Sequence, residues 1–441
     1  MISFVPSADT RVILNALLDI FERRESSSTR AIKVKLREIN LPAYFSQQDP
    51  EPRMITNQQM QSLADSNLIQ LKWIAGEENH LLDLVTLTTH VPLTTSHVPS
   101  TTSRELYTLI SRIPISNQRS QLESLLLADK FRFSADDWRA RSLKQILDKL
   151  HAGKSASPFN LSASDFNSDL LSALLALSSL QVETPYRVFS VRVFNDTKRF
   201  DELRPALIRL ARQANPDWKS FTNEDLLREL NLVANPGYIH LSGNWQFTTV
   251  DGEILSLNGF SPSIGFPAAQ ISSIQTVAVH ADSVLCIENL TSFYEFIRRM
   301  ENVNKYTSKQ VNTPHVPLIT SHSPLTTPRA VICLMGNPSP AIRRLLRLIP
   351  DETKIYLWSD MDYGGFNILS QLRKQVSAFV QPYLMDISTF EAHAHLSRPL
   401  TQSDRRNLKR LVFTSSLKDI HPIIEHLLKR GLKLEQEAIR T

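Results

Sequence analysis

Three acidic residues stand where apolar runs of the sequence end. Glu288 follows SVLCI, and Asp360 and Asp362 come just after KIYLW. Because side chains on an extended strand alternate between its faces, the two aspartates point the same way and Met361 points oppositely, towards packing. The carboxyl ends of parallel strands meet at one edge of a sheet, where ligands collect. The sequence therefore predicts a carboxylate cluster that shares a hard divalent cation, Mg²⁺ or Mn²⁺.

Two consecutive glycines follow the aspartate pair. Gly364 and Gly365 allow a tight turn before the helical segment FNILSQLRKQV, in a chain with only 11 glycines. Such a turn at a helix N-terminus suits a phosphate group. One interpretation is metal-assisted phosphoryl chemistry. The other is that Asp360 and Asp362 merely cap the helix, which accounts for one aspartate but hardly for both together with Glu288.

Further acidic residues lie later in the chain. Asp386 closes the apolar run PYLMD, where it either completes the metal site or caps a turn, and we assign it to the metal site. Glu435 and Glu437 lie in LEQE within a basic C-terminal segment, so we interpret them as solvated and place them outside the set of metal ligands.

The acidic segments resemble a known family. Glu288-Asn289-Leu290 after a strand, Gly336 after AVICLM, and the run WSDMDYGGFNILSQLR are similar to the Toprim signature of topoisomerases, primases and some nucleases. The resemblance is closer to one branch, the JetD subunits of Wadjet anti-plasmid systems. Matching segments continue through SVRVFNDTKRF, PYLMDIST and LKLEQEAI. The likeness is specific over the C-terminal two-fifths of the chain and looser elsewhere.

The resemblance implies a function and roles for single residues. Glu288 would be a metal ligand or general base, and Asp360 and Asp362 would hold Mg²⁺. The implied reaction is cleavage of double-stranded plasmid DNA by hydrolysis, with SMC-type Wadjet subunits as partners and a homodimer as the assembly. Two rival functions stay open. One is a topoisomerase-like transesterase that uses Tyr44, and the other is a non-catalytic DNA-binding adaptor whose acidic cluster is inert.

Basic residues supply candidate DNA contacts. Most sequence-independent affinity for DNA comes from its phosphates. We predict such contacts for four residues: Lys198 and Arg199 in FNDTKRF, and Arg343 and Arg344 in AIRRLLRLI. A later cluster, Arg405, Arg406, Lys409 and Arg410, is interpreted as a solvated helix face, the usual role of such a run.

The elements that must position these residues form three regions. Residues 1–102 predict a winged-helix-like α+β module: a helix over 8–24, a capping box at Thr56-Asn57-Gln58-Gln59 that opens a second helix, and a hairpin turning near Gly76. Residues 103–270 predict a helical and mixed middle region that contains a strand, YRVFSVRVF. Residues 271–441 alternate strand and helix, which predicts an α/β Toprim domain with a largely parallel sheet.

An internal repeat interrupts this pattern. HVPLTTSHVP at 90–99 and HVPLITSHSP at 315–324 match at eight of ten positions. Neither copy has helical or strand periodicity, so we predict duplicated loop insertions at 90–102 and 313–327. The alternative, a metal site built from the histidines of the two copies, lacks the supporting contacts that such ligands need.

Composition limits the class of protein. The chain has no apolar stretch long enough to cross a membrane and no N-terminal signal pattern. With only two cysteines, Cys286 and Cys333, it lacks a disulfide framework, which fits the cytoplasm. The net charge of +5 permits a polyanionic partner without requiring one.

Overall fold

The computed structural model describes residues 4–23, 31–88, 101–130, 132–309 and 329–439, with the side chains of 101–102, 302–309 and 329 excepted. The predicted insertion at 313–327 lies outside these ranges, as does that at 90–102 apart from its last two residues. His90, His97, His315 and His322 are outside them as well. Within the described ranges, no helix combines the length and the apolarity that a membrane crossing requires.

Contacts divide the chain once, into Met1–Ser168 and Asp169–Thr441, and the boundary falls inside a helix. The helices are α1 (Ala8–Arg23), α2 (Glu51–Asp65), α3 (Thr101–Leu109), α4 (Ile115–Lys130), α5 (Trp138–His151), α6 (Ser164–Ala176), α7 (Tyr186–Phe194), α8 (Arg199–Ala214), α9 (Asn223–Glu229), α10 (Leu290–Lys309), α11 (Pro340–Arg347), α12 (Tyr363–Gln375), α13 (Ile387–Ala392), α14 (Gln402–Leu411) and α15 (His421–Arg430).

The strands are short. They are β1 (Lys33–Lys35), β2 (Ile69–Trp73), β3 (Leu82–Leu87), β4 (Thr184–Pro185), β5 (Leu232–Val233), β6 (Tyr238–Ser242), β7 (Trp245–Thr249), β8 (Ile254–Ser256), β9 (Ile264–Pro267), β10 (Ile274–Val279), β11 (Ser283–Ile287), β12 (Arg329–Cys333), β13 (Lys354–Trp358), β14 (Gln381–Pro382), β15 (Arg398–Pro399) and β16 (Leu432–Lys433).

The first unit contains an antiparallel sheet in the order β1-β3-β2, with α1, α2 and α3 contributing to the same core. The predicted hairpin is present, and Gly76 has the positive φ of +86° that its turn requires. The predicted capping box is wrong, because α2 begins at Glu51 after Pro50 and Thr56 is fully buried inside the helix. The winged-helix assignment of this module stays a prediction.

The segment YRVFSVRVF is a helix, α7, so the predicted strand is wrong. Its β-branched and aromatic residues suggest a strand locally, but neighbouring turns decide otherwise. Pro185 stands at the helix start, and Asn195 ends it with a left-handed φ of 55°. Phe189 then packs edge-on against Phe200 of α8, with 5.0 Å between ring centroids.

The main sheet of the second unit has the order β14-β13-β11-β12-β6-β9. The four strands from β14 to β12 are parallel, whereas β6 pairs antiparallel with β12 and β9 pairs antiparallel with β6, so the sheet is mixed. Two of its strands, β6 and β9, precede residue 271, the predicted start of the catalytic domain. Strand β10 is not in this sheet and pairs with β7 instead. The central strand β11 is wholly buried, which explains its unbroken apolar run.

Candidate functional site

The site begins where two parallel strands end side by side. Ile287, the last residue of β11, is in register with Trp358, the last residue of β13. The N–H of Glu288 then donates to the carbonyl of Trp358 at 3.0 Å, and the N–H of Asp360 donates to Oε2 of Glu288 at 3.2 Å. Sheet register therefore brings together two carboxylates that are 72 residues apart in the chain.

The loop after β12 supports Glu288 from its other side. The N–H of Gly336 donates to the carbonyl of Glu288 at 3.1 Å. Gly336 has a φ of +90°, and a Cβ built on it would meet nothing within 4 Å. Backbone conformation rather than space is thus the reason for glycine here.

Asp362 has a different role from Asp360. It is the N-cap of α12, and its Oδ1 accepts from the N–H of Gly365 at 3.1 Å. Gly364 and Gly365 lie in the first turn of α12 and do not form a separate tight turn, so that prediction is wrong. A Cβ on Gly365 would lie 2.0 Å from the carbonyl oxygen of Asp360, so glycine at this position allows helix and strand end to approach closely.

The C-terminal segment completes the site through Gln436, which is fully buried. Its N–H donates to Oδ1 of Asp360 at 2.7 Å, and its Nε2 donates to the carbonyl of Trp358 at 2.8 Å. Its Oε1 accepts from the N–H of Asn289 at 3.2 Å. One side chain thus ties the ends of β11 and β13 together, and a bridge between Met361 and Leu434 holds the segment in place.

Charge in this cluster is only weakly compensated. Burial, and after it the neighbouring charge of Asp360, raise the pKa of Glu288 to about 8. Burial likewise raises the pKa of Asp360 to about 7, although the N–H of Gln436 acts to lower it. Asp362 and the exposed Glu437 add repulsion to both carboxylates. The two central groups therefore hold protons near neutral pH, as crowded carboxylates do.

One cation approaches the edge of the cluster. Nζ of Lys433 lies 3.8 Å from Oδ2 of Asp362 and 3.3 Å from Oδ2 of Asp404. Neither Glu288 nor Asp360 forms an ion pair with any residue in the described ranges. Among the described residues, only Asp362 of these three carboxylates has a positively charged neighbour.

The electrostatics of the cluster suit a divalent cation. One oxygen of Glu288 and one of Asp360 accept main-chain hydrogen bonds, which leaves Oε1 and Oδ2 without a hydrogen bond from the described residues. As the side chains stand, no three His, Cys, Asp or Glu groups of the described residues are gathered closely enough to hold an ion alone. Mg²⁺ commonly takes one or two carboxylates and completes its shell with water and substrate phosphates, so the residues fit such an ion.

Asp386 is a helix cap. It precedes α13, and its oxygens accept from the N–H of Thr389 and from the hydroxyls of Ser388 and Thr389. Burial acts to raise the pKa of Asp386, but these hydrogen bonds outweigh it and bring the pKa below its ordinary value. In the structure Asp386 thus caps α13, and its role as a metal ligand stays a prediction.

The predicted DNA contacts divide into engaged and open residues. Arg199 binds Asp169 at 2.7 Å as well as Glu202, while Lys198 is exposed at the start of α8. Arg343 is only 7% exposed and forms a bidentate pair with Glu229, both contacts at 2.8 Å. It therefore braces α11 against α9.

Arg344 is exposed on α11, and one of its nitrogens donates to the carbonyl of Ser272 at 3.0 Å. Lys198 and Arg344 are therefore the two of the four predicted residues that are not held by a carboxylate in the described structure.

Tyr44 is unsuited to nucleophilic attack. Its side chain is fully buried, its hydroxyl donates to Oδ1 of Asn57 at 2.8 Å, and the same oxygen accepts from the N–H of Leu82 at 2.9 Å. Burial raises its pKa, which disfavours the phenolate. Its contacts are those of a core residue.

The sequence did not predict that Gln436 and Lys433 lie at the site, or that the charge of Glu437 raises the pKa of both Glu288 and Asp360. The available signal was the match of LKLEQEAI to the resembling family. That match does not by itself place these residues at the site, because a charged C-terminal segment is usually solvated.

Two comparisons with known proteins both show similarity to JetD proteins of Wadjet systems. Residues 321–441 match the family described as Wadjet protein JetD, C-terminal. The chain is also 22% identical over 440 residues to Wadjet protein JetD of Bacillus cereus (strain Q1), which covers 97% of both chains. The family match contains Asp360, Asp362 and Gln436, and the longer alignment extends over both units. The chain is therefore similar to a Wadjet JetD protein along nearly its whole length, and its C-terminal part matches the JetD C-terminal family.

Proposed function

We propose that the chain serves Wadjet defence as a metal-dependent endonuclease that hydrolyses phosphodiester bonds of plasmid DNA. The observation that carries the proposal is the pair of Glu288 and Asp360. Their carboxylates lie together at the ends of neighbouring parallel strands, with raised pKa values and no ion-pair partner among the described residues. Such perturbed groups cluster at functional sites. In this proposal the mixed sheet is a Toprim domain.

The proposed chemistry assigns a task to each residue. A divalent cation held by Glu288, Asp360 and Asp362 would polarise the scissile phosphodiester and lower the pKa of the attacking water. The pKa of about 8 keeps Glu288 protonated at neutral pH in the cation-free site; binding of the cation would displace that proton, and the carboxylate could then act as ligand or general base. Lys433 brings a positive charge beside Asp362 that can offset part of the charge of a DNA phosphate. Gln436 holds the strand ends in place.

Similarity to a Wadjet JetD protein supports the biological setting. The related protein is named as a Wadjet component, so we propose other Wadjet subunits as partners, SMC-type by the resemblance, and double-stranded plasmid DNA as substrate. A homodimer would place one site on each strand of the duplex and is part of the same proposal.

Supercoiled-plasmid cleavage tests the function. Purified protein, with and without the Wadjet partner subunits, is incubated with Mg²⁺ or Mn²⁺ or with a chelator. Cleavage should require the cation and should be lost in Glu288→Gln and Asp360→Asn. Glu295→Gln is the control, because Glu295 is a partly exposed α10 residue paired with Arg298 and Arg299. Cation-independent cutting, or full activity of Glu288→Gln in the complete system, would contradict the proposal.

The two rivals predict different products. A transesterase leaves the protein covalently attached to a DNA end and fails in Tyr44→Phe, whereas a hydrolase leaves free ends. A non-catalytic adaptor binds DNA but cuts none, even with its partners and cation present. The buried position of Tyr44 favours hydrolysis over transesterification.

A further inference from the structure

Helix α14 carries a stripe of positive charge that forms no ion pair with the described residues. Arg406, Lys409, Arg410 and Phe413 are spaced i, i+3, i+4 and i+7, which places them on one face, since Val412 continues the helical conformation past Leu411. All four are exposed, Phe413 at 89%. These four residues form the α14 stripe.

The charges of the stripe are available to a partner. Within the described ranges, the side chains of Arg406, Lys409 and Arg410 take part in no ion pair. The acidic residue of the same helix, Asp404, is already engaged by Lys433 and by the N-terminal capping box. The neighbouring Asp419 is held by Arg373 of α12.

Three other arginines of this unit differ in that respect. Arg199 is bound by Asp169, Arg298 by Glu295, and Arg343 by Glu229. Arg405, next to the stripe, is exposed but donates to the carbonyl of Leu428 at 3.3 Å. The opposite side of α14 packs through the buried Leu408 and Leu411. The stripe is therefore the unneutralised, outward face of an anchored helix.

The helix starts beside the acidic cluster. Lys433 links Asp404, in the first turn of α14, with Asp362 at distances of 3.3 and 3.8 Å. From Arg406 to Phe413 the stripe extends about 10 Å at 1.5 Å per residue. DNA carries one phosphate per about 3.4 Å of axis on each strand, so this length corresponds to about three phosphates.

We infer that the α14 stripe binds the backbone of double-stranded DNA and leads it towards the cluster of Glu288, Asp360 and Asp362. This inference rests on the proposed function for its partner, and it assigns the contact surface to residues that the sequence analysis interpreted as solvated. Phe413 adds an apolar contact to a sugar or base at the far end of the stripe. An acidic protein segment is the competing occupant, but a run of three cations beside a phosphodiester-cutting site favours DNA.

The test measures binding rather than cleavage. The full-length chain is titrated with a short fluorescein-labelled duplex in EDTA at several salt concentrations. The logarithm of the association constant should fall linearly with the logarithm of salt, and each lost phosphate contact should reduce the slope by about 0.9. Lys409→Gln should show that reduction, and the triple variant Arg406→Gln/Lys409→Gln/Arg410→Gln about three times as much.

Matched variants make the result specific. Lys354→Gln removes one exposed charge at the amino end of β13, the edge of the sheet opposite to the site, and should leave slope and affinity unchanged. Phe413→Ala should weaken binding about ten-fold without changing the slope, because it removes no charge. Thermal melts that superimpose on wild type show that each variant is folded.

Two outcomes would overturn the inference. One is a triple variant that binds with wild-type affinity and slope, which would leave an acidic protein segment as the occupant of the stripe. The other is a wild-type chain that does not bind the duplex. Because binding is measured in EDTA, the result does not depend on cleavage. A chain that binds DNA through the stripe but never cuts plasmid with its cation present would refute the proposed nuclease activity and leave the stripe as a DNA-binding surface.

Discussion

The main-chain N–H of Gln436 donates a 2.7 Å hydrogen bond to Oδ1 of Asp360, which lies 76 residues earlier in the chain. The Gln436 side chain also satisfies the carbonyl of Trp358 and the N–H of Asn289. The C-terminal segment is thereby a structural part of the acidic site.

Replacing Gln436 with Leu should impair both stability and cleavage. The change leaves the part-buried N–H of Asn289 unpaired, at a cost of about 1–3 kcal/mol, and removes one of the two hydrogen bonds to the carbonyl of Trp358. Chemical denaturation measures the loss, and plasmid cleavage at a temperature where the variant is folded measures activity. Gln375→Leu, at the exposed end of α12, is the control and should be nearly neutral. Wild-type activity in a folded Gln436→Leu protein would show that the clamp does not position Asp360.

Glu288→Gln should stabilise the cation-free protein at pH 8. The folded-state pKa values of Glu288 and Asp360, about 8 and about 7, exceed their ordinary values of 4.5 and 3.8. The folded state therefore holds more protons than the unfolded state, and stability falls as pH rises from about 5 towards 8.

Thermal melts in EDTA across this pH window should show the stability of Glu288→Gln increasing relative to wild type as pH rises. The difference in the free energy of unfolding should reach about 2–4 kcal/mol at pH 8. Mg²⁺ should raise the melting temperature of wild type more than that of the variant. A difference in stability between the two proteins that does not change with pH would mean that the pKa of Glu288 is not raised in the folded protein.

Gly365→Ala should disrupt the junction between β13 and α12, whereas Gly364→Ala should be tolerated. The added methyl at 365 would lie 2.0 Å from the carbonyl oxygen of Asp360, but at 364 its nearest neighbour is Oδ1 of Asp362 at 3.2 Å. Overpacking typically costs about 1–3 kcal/mol, and here it would also displace Asp360. Denaturation and cleavage assays on the two neighbours should differ clearly, and equal behaviour would contradict the close approach.

Arg343→Met should destabilise the protein by about 3–5 kcal/mol, because Glu229 would be left partly buried without its partner. Adding Glu229→Gln should recover a large part of that loss. A double-mutant cycle by urea denaturation measures the coupling. Additive effects of the two changes would mean that the pair contributes little and would reopen a phosphate-binding role for Arg343.

Tyr44→Phe should leave plasmid cleavage at wild-type levels and cost about 1–2 kcal/mol in stability. The hydroxyl satisfies the buried N–H of Leu82 and binds Asn57, and both contacts are lost in the variant. Loss of cleavage in a folded variant, together with protein-linked DNA ends in wild type, would instead support the transesterase.

The sequence by itself located the acidic residues. Strand ends are marked by apolar runs that stop at a carboxylate, so Glu288, Asp360 and Asp362 could be picked from local pattern alone, together with the buried position of Met361 between the aspartates. It also indicated α/β order in the C-terminal part. These features depend on the period of side chains along one element, which is a local property.

Tertiary structure decided what each residue does. Local pattern could not tell that α7 is a helix, since Pro185, Asn195 and packing on Phe200 outweigh β propensity. It could not show that Asp386 caps a helix, that Arg343 is buried with Glu229, or that Gln436 joins two strand ends. Each of these depends on which distant segment comes within hydrogen-bonding distance, and a single sequence does not encode that pairing in any local signal.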